Sequence, residues 1–257
     1  MKKLKLAELL VTRGFIPSID DAERYVMAGK VLIDDKVIVQ PGTLCDYNSA
    51  IRIKEKKSEF VSRGGDKLNE FLKDVDIIIE NKCALDIGIS TGGFTDVLLK
   101  NNVMHVMGID VGYGILDYKL RRQQNLSLLE RTNAREVTEK EINDKLEKHH
   151  LKIKDFDLVV MDVSFISVFK ILPNLQKLLP KNSLYIILVK PQFEADKTMV
   201  GFGGIISNPD HLKQVLHNVE QQFDEHGFDI INQAPSKVKG TKGNQEYFYM
   251  VKPATQP

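Results

Sequence analysis

The sequence predicts an α/β protein in which an open, mostly parallel sheet with crossover helices follows a small α+β domain. From Cys83 onward, short apolar runs alternate with helical stretches, the pattern of a parallel sheet. The last two strands follow one another without a helix-length gap, which predicts a terminal antiparallel hairpin. Residues 1 to about 58 have shorter periods and are set off by the charged stretch Lys54-Glu-Lys-Lys-Ser-Glu59, which has no apolar face to bury and reads as a linker over about 54–60.

In the first domain, Leu4, Leu6, Leu9 and Leu10 recur at helical spacing and stop at Arg13-Gly14, and Asp20 to Met27 forms a second helix ended by Ala28-Gly29. Val31–Ile33 and Val37–Val39 flank the Asp34-Asp35 turn as a hairpin, Pro41-Gly42 closes it, and Ala50–Ile53 supplies a third strand. In the second domain, residues 59–257, strands are expected at about 82–87, 104–109, 127–130, 157–162, 184–190, 228–234 and 246–252, with helices between them.

Composition narrows the class. The 257 residues are 42% hydrophobic, enough for one large core and a small second one. Charge is balanced, 36 basic against 35 acidic residues, so a nucleic-acid partner would have to be recognised locally. The apolar run Leu184–Val189 is far short of the roughly 18 residues that suggest a membrane span. Met1–Glu8 has the charge of a signal peptide but no apolar stretch behind it, so a cytoplasmic protein is expected. Cys45 and Cys83 fall in different domains and read as free core thiols. The histidines lack ligand spacing, no metal site is expected, and His149-His150 reads as the solvated end of a charged helix.

Four ionisable residues, Lys67, Asp162, Lys190 and Glu246, each sit in a short motif, and the last three lie at or beside the end of a predicted strand. In an open α/β sheet those ends are where ligands gather. Asp86-Ile-Gly88-Ile-Ser90-Thr91-Gly92-Gly93-Phe94 follows the first large-domain strand and opens a helix. Its glycines would let the backbone approach a ligand, and Ser90 or Thr91 could cap the helix; a purely helix-packing glycine loop is the plainer alternative. No lysine follows, so a Walker-type phosphate cradle is absent. Asp110 ends the second strand of this domain about 20 residues on, where an acid can bind both ribose hydroxyls of an adenosine. The pairing fits S-adenosylmethionine, with NAD as competitor, and the antiparallel ending is more typical of methyltransferases than of dehydrogenases. Asn133 is placed for the adenine edge or, equally, to form a turn.

These motifs, with Glu130-Arg-Thr-Asn-Ala-Arg135, Asp162-Val-Ser-Phe-Ile-Ser167, Val189-Lys-Pro-Gln-Phe-Glu194 and Asn244-Gln-Glu-Tyr-Phe248, closely resemble the TlyA family of haemolysins and ribosomal RNA 2′-O-methyltransferases. The catalytic domain of that family is similar to the FtsJ methyltransferases. The resemblance covers nearly the whole chain. It implies a Rossmann-like S-adenosylmethionine methyltransferase sheet with a small N-terminal RNA-binding domain, whose motifs match Leu9–Gly14 and Met27–Val31. It also implies methylation of a ribose 2′-hydroxyl in ribosomal RNA, at cytidine.

The family's Lys-Asp-Lys-Glu tetrad carries over onto Lys67, Asp162, Lys190 and Glu246. Lys190 is expected nearest the hydroxyl and Asp162 beside it near the sulfonium, with Lys67 and Glu246 as supports; taken singly, each reads equally as a surface ion pair. The expected cofactor contacts are Asp86, Gly88, Ser90, Thr91, Gly92, Phe94, Asp110, Asn133 and Asp162. RNA contacts are expected from Arg13, Arg24, Lys30, Lys36, Arg63, Lys239 and Lys242. The chain departs from the family at Lys5-Leu6-Ala7, usually Arg-Leu-Asp, and at Ile19, commonly basic. Residues 1–60 carry 11 basic and 9 acidic groups, so the isolated domain should bind RNA modestly. A membrane-lytic protein and a catalytically inactive ribosome-binding protein are the competing classes.

Overall fold

The computed structural model describes residues 3–53, 58–240 and 243–254 and divides the chain into two compact units, Met1–Lys57 and Ser58–Pro257. Residues 54–57 of the expected linker lie outside the described residues.

The first unit runs β1 (Lys3–Lys5), α1 (Leu6–Thr12), α2 (Ile19–Met27), β2 (Val31–Ile33), β3 (Lys36–Ile38), β4 (Leu44–Asp46) and β5 (Ile51–Ile53). Ser18 caps α2 by accepting from the Asp21 N–H, and Gly29, at φ +63°, lets the chain turn back after it. Its small core joins Leu6, Leu9, Leu10, Ala22, Val26, Val31 and Ile33. Two strands were not expected. β1 and β4 pair antiparallel, with Leu4 opposite Cys45, so Leu4 belongs to a strand and not to the first helix. Each is three residues long, too short to show an alternation.

The second unit contains α3 (Arg63–Leu72), β6 (Cys83–Ile87), α4 (Gly93–Lys100), β7 (His105–Ile109), α5 (Tyr118–Arg121), β8 (Leu126–Leu129), α6 (Glu139–Leu146), β9 (Phe156–Met161), α7 (Leu172–Leu178), β10 (Leu184–Val189), α8 (Pro191–Glu194), α9 (Pro209–Glu225), β11 (Phe228–Pro235) and β12 (Tyr247–Pro253). These strands form a seven-stranded sheet in the order β11-β12-β10-β9-β6-β7-β8, parallel except for β12, which lies antiparallel to both β10 and β11. Because side chains alternate across a strand, residues of one parity, such as Leu85, Met107, Val159 and Ile187, face a core with α6, α7 and α9. Ala84, Val106, Val160 and Ile186 face the core with α3 and α4. Phe248 lies between Phe71 (4.6 Å) and Phe94 (6.1 Å) on the second face. Full burial of such a ring contributes about 2–3 kcal/mol.

Helix α3 carries Lys67 and was not foreseen; it packs against α4 through glycine. A Cβ on Gly93 would lie 2.7 Å from the Gly65 nitrogen, and one on Gly65 would lie 2.9 Å from the Gly93 carbonyl. Backbone approach of this kind leaves little apolar pattern in the sequence.

His149 departs from the solvated helix end expected of it. Its ring packs on buried His105 at 4.4 Å, and His105 Nε2 lies 3.0 Å from Ser127 Oγ. Burial, helped by nearby His149 and Lys148, holds His105 down at about 4. The unfolded chain takes up this proton near pH 6.5 and the folded chain only near 4, so His105 contributes stability above about 6.5 that is lost as pH falls toward 4. Thermal midpoints recorded across that window should fall with pH. In His105→Leu the fall should be shallower, from a lower start because Ser127 Oγ loses its partner.

Candidate active site

The sheet order brings distant motifs together. β9, β10 and β12 are neighbours; Ile187 pairs with Met161 and Val189 with Tyr247. Asp162 and Lys190 follow the C-terminal ends of β9 and β10, and Glu246 immediately precedes antiparallel β12, so all three emerge at one end of the sheet. Lys67 reaches the same place from α3.

The four form two ion pairs. Lys67 Nζ donates to Glu246 Oε2 at 2.6 Å, both side chains being almost fully buried. Lys190 Nζ lies 2.6 Å from Asp162 Oδ1 and donates to Ser164 Oγ at 2.8 Å. Glu246 is positioned by Gly240, where a Cβ would lie 2.5 Å from Oε1. Its backbone carbonyl accepts from the Ser236 N–H at 2.8 Å. Such buried pairs are stable only while both members are present.

Three cavities meet at these pairs. One, of about 360 Å³, is lined by Ile87, Gly88, Ser90, Asp110, Asn133, Ile166 and Lys190 among others. A second, of about 310 Å³, lies against Arg63, Lys67, Asp86, Thr91, Gly93 and Phe94. The third, of about 490 Å³, is bounded by Lys67, Lys190, Glu246, Phe165, Gln192 and Gly204. Asp162 belongs to all three walls. Phe165, at φ +65° and almost fully exposed, packs on Phe193 at 5.2 Å at the edge of the third cavity.

Asp110 keeps its carboxylate at the cleft by accepting from the Ser90 N–H (Oδ2, 2.7 Å) and the Gly112 N–H (Oδ1, 2.7 Å). Asp86 is fully buried on β6. Its Oδ2 accepts from Thr95 Oγ1 at 2.6 Å, while Oδ1 has no hydrogen-bond partner. Burial pushes this carboxyl up to about 7; the Thr95 hydrogen bond opposes the rise, and the charges of Asp162 and Asp110 add to it. An unpaired buried oxygen among three carboxylates is an arrangement that a bound cation relieves.

Several expected roles change in detail. Ser90 and Thr91 do not cap α4; its N-cap is Gly92, at φ +92°, without a side-chain bond. The glycines also serve packing: a Cβ on Gly88 would lie 2.7 Å from the Asp162 carbonyl, and one on Gly92 would lie 2.3 Å from Leu120, while Gly88 and Gly93 line the cavities as well. Asn133 makes a turn, its Oδ1 accepting from the Arg135 N–H at 3.1 Å, while still lining the first cavity.

Of the expected RNA contacts, Arg13 is committed to its own unit, donating to the Tyr47 (3.2 Å) and Ser49 (2.7 Å) carbonyls and lying over Phe15. Arg24 pairs with Asp21, Lys30 lies over Tyr25, and Lys36 is exposed. Arg63 donates to the Lys239 carbonyl at 2.7 Å, holding the loop that leads to Glu246; Lys242 lies outside the described residues. Sequence reasoning assigned no role to Ser164, Thr95 or Gly240. Ser164 stands two residues from Asp162 in a motif already singled out, which was the available signal.

Residues 60–252 match the FtsJ-like methyltransferase family. The chain is 37% identical over 247 residues to the 16S/23S rRNA (cytidine-2′-O)-methyltransferase TlyA of Mycobacterium tuberculosis strain H37Rv, covering 96% of this chain and 88% of that one. It is 36% identical over 245 residues to hemolysin A of Brachyspira hyodysenteriae, covering 95% and 98%. A solved structure from Streptococcus thermophilus, provisionally named a hemolysin, superposes with a TM-score of 0.73 at 32% identity, covering 100% of this chain and 90% of that one. Sheet order, strand-end motifs and these full-length likenesses together make the chain a member of the FtsJ-like methyltransferases, in the TlyA family.

Proposed function

We propose that the protein transfers a methyl group from S-adenosylmethionine to the 2′-hydroxyl of a cytidine in ribosomal RNA, and so acts in the cytoplasm. The observation that carries this reading is the position of the two lysine–carboxylate pairs, between a nucleoside-sized cleft and a second open cavity. The substrate class comes from the name of the M. tuberculosis relative.

The residues fit the cofactor. Asp110 would hold the ribose hydroxyls, Ile87, Ile109 and Ile166 would flank the adenine, and the unpartnered Asp86 oxygen would meet the amino group. When bound, S-adenosylmethionine supplies an electrophilic methyl group. Lys190, fixed by Asp162 and Ser164, would hydrogen-bond the acceptor oxygen, and the proton leaving that oxygen would be drawn to the Lys190–Asp162 unit. Lys67 and Glu246 would hold the adjoining wall rigid, which matters because alignment contributes much of the rate. The first unit would supply RNA affinity through Arg24, Lys30, Lys36 and backbone groups; Arg63 and the loop through Lys239 and Lys242 would lie beside the phosphates.

Tritiated methyl incorporation into unmodified ribosomal subunits, followed by nuclease digestion, should yield 2′-O-methylcytidine. A methyl on a base, or none, defeats the reading.

Calorimetry tests the cofactor contacts separately. Asp110→Ala should weaken S-adenosylmethionine binding by about 1–3 kcal/mol. In the wild type, affinity should fall below pH 7 as Asp86 takes up a proton, and above about pH 8 as the ligand's α-amino group loses its own. A flat profile in that range would move the amino group away from Asp86.

A further inference from the structure

We infer that Phe202 is an RNA-stacking residue that inserts against the bases beside the target nucleotide, an inference that rests on the RNA-methyltransferase reading above. Its ring is fully exposed, more so than any other large apolar side chain among the described residues. Such a ring contributes nothing to its own fold, and its segment is nevertheless tightly built. The Gly201 N–H donates to the Ile205 carbonyl at 2.9 Å and the Gly204 N–H to the Gly201 carbonyl at 3.1 Å; Gly203 and Gly204 turn the chain at φ +80° and +81°. Asn244, two residues before Glu246, braces the loop by donating to the Gly204 carbonyl at 2.7 Å and accepting from the Ile206 N–H at 3.3 Å.

The loop is also part of the site. Val200, Gly203 and Gly204 form the wall of the cavity that holds Lys67, Asp162, Lys190 and Glu246, whereas Phe202, between them in sequence, turns away from that wall into solvent. With a ribose in the cavity, the material against the outside of its rim is the neighbouring nucleotide. Bringing a 2′-hydroxyl into a walled cavity requires the target nucleotide to leave its stack. An aromatic ring carried on a braced turn can take up the vacated stacking face, and every base offers a π-face to it regardless of sequence.

The test compares Phe202→Ala, Phe202→Leu and Phe202→Trp with wild type for methyl transfer to unmodified ribosomal subunits at subsaturating concentration. The alanine and leucine variants should lose on the order of tenfold in kcat/KM while tryptophan retains it, with S-adenosylmethionine affinity and thermal midpoint unchanged in all three because the ring touches neither cofactor nor core. Wild-type-like transfer by Phe202→Ala, or full rescue by leucine, overturns the inference alone. Absence of 2′-O-methylation by the wild type overturns the parent reading and this one with it.

Discussion

Lys190→Ala should lower methyl incorporation into ribosomal subunits by a hundredfold or more, on the order expected when an acceptor is neither activated nor aligned. Lys190 bridges Asp162 and Ser164, so its loss removes the group that would meet the acceptor oxygen and frees the two that hold it. Cofactor binding should survive. Asp162→Ala should be as inactive and should also weaken cofactor affinity, because Asp162 lies in the walls of all three cavities. Lys67→Ala and Glu246→Ala should lower activity too. Each leaves a buried charge without its partner, at a cost of about 3–5 kcal/mol in stability, so their melting curves must be read beside their rates. Combined variants should lose less than the sum of the singles if the pairs act as a unit. Wild-type incorporation by a folded Lys190→Ala would remove the lysine from the chemistry.

A fragment beginning at Ser58 should bind S-adenosylmethionine like the full chain yet lose most methylation of ribosomal subunits at ordinary concentrations. Its sheet and both its cores are complete without residues 1–57, and Lys67, Asp162, Lys190 and Glu246 all belong to it. What it lacks is the proposed RNA-binding unit. That unit's near-balanced charge means that affinity must come from local contacts, so added salt should weaken the full chain's RNA binding only moderately. Equal activity of fragment and full chain, at equal subunit concentration, would overturn this division of labour.

Much of the second unit was legible because its central strands are buried on both faces and therefore read as apolar runs, and every predicted strand from Cys83 onward, the largely exposed edge strand β11 included, lies within two residues of its observed place. The strand ends, with their Asp and Lys, were legible for the same reason: a charged residue directly after such a run stands out. The pairing of Lys67 with Glu246 was not, since the contact spans 179 positions and follows from sheet order, which no local pattern encodes. The packing roles of the glycines were not legible because a missing Cβ serves ligand approach and close packing equally; the neighbours, the Asp162 carbonyl for Gly88 and Leu120 for Gly92, reveal the packing. The short strands β1 and β4 and the His149 ring failed for want of any repeating signal.

The position of β12 governs when the protein acquires activity. The strand is the last in sequence, yet it lies inside the sheet, wedged between β10 and β11, and Glu246 arrives with it. Before it inserts, β10 has an open edge, β11 has no neighbour, and the Lys67 ammonium faces a gap. A chain halted before Glu246 would possess the proposed cofactor cleft and its helices but neither the complete sheet nor the Lys67–Glu246 pair. Recovery of methyl transfer during refolding should therefore trail the return of helical signal and mark one late event, the arrival of the final strand. Long-range closures of this kind are slow, and under the proposed function no half-built form would modify RNA.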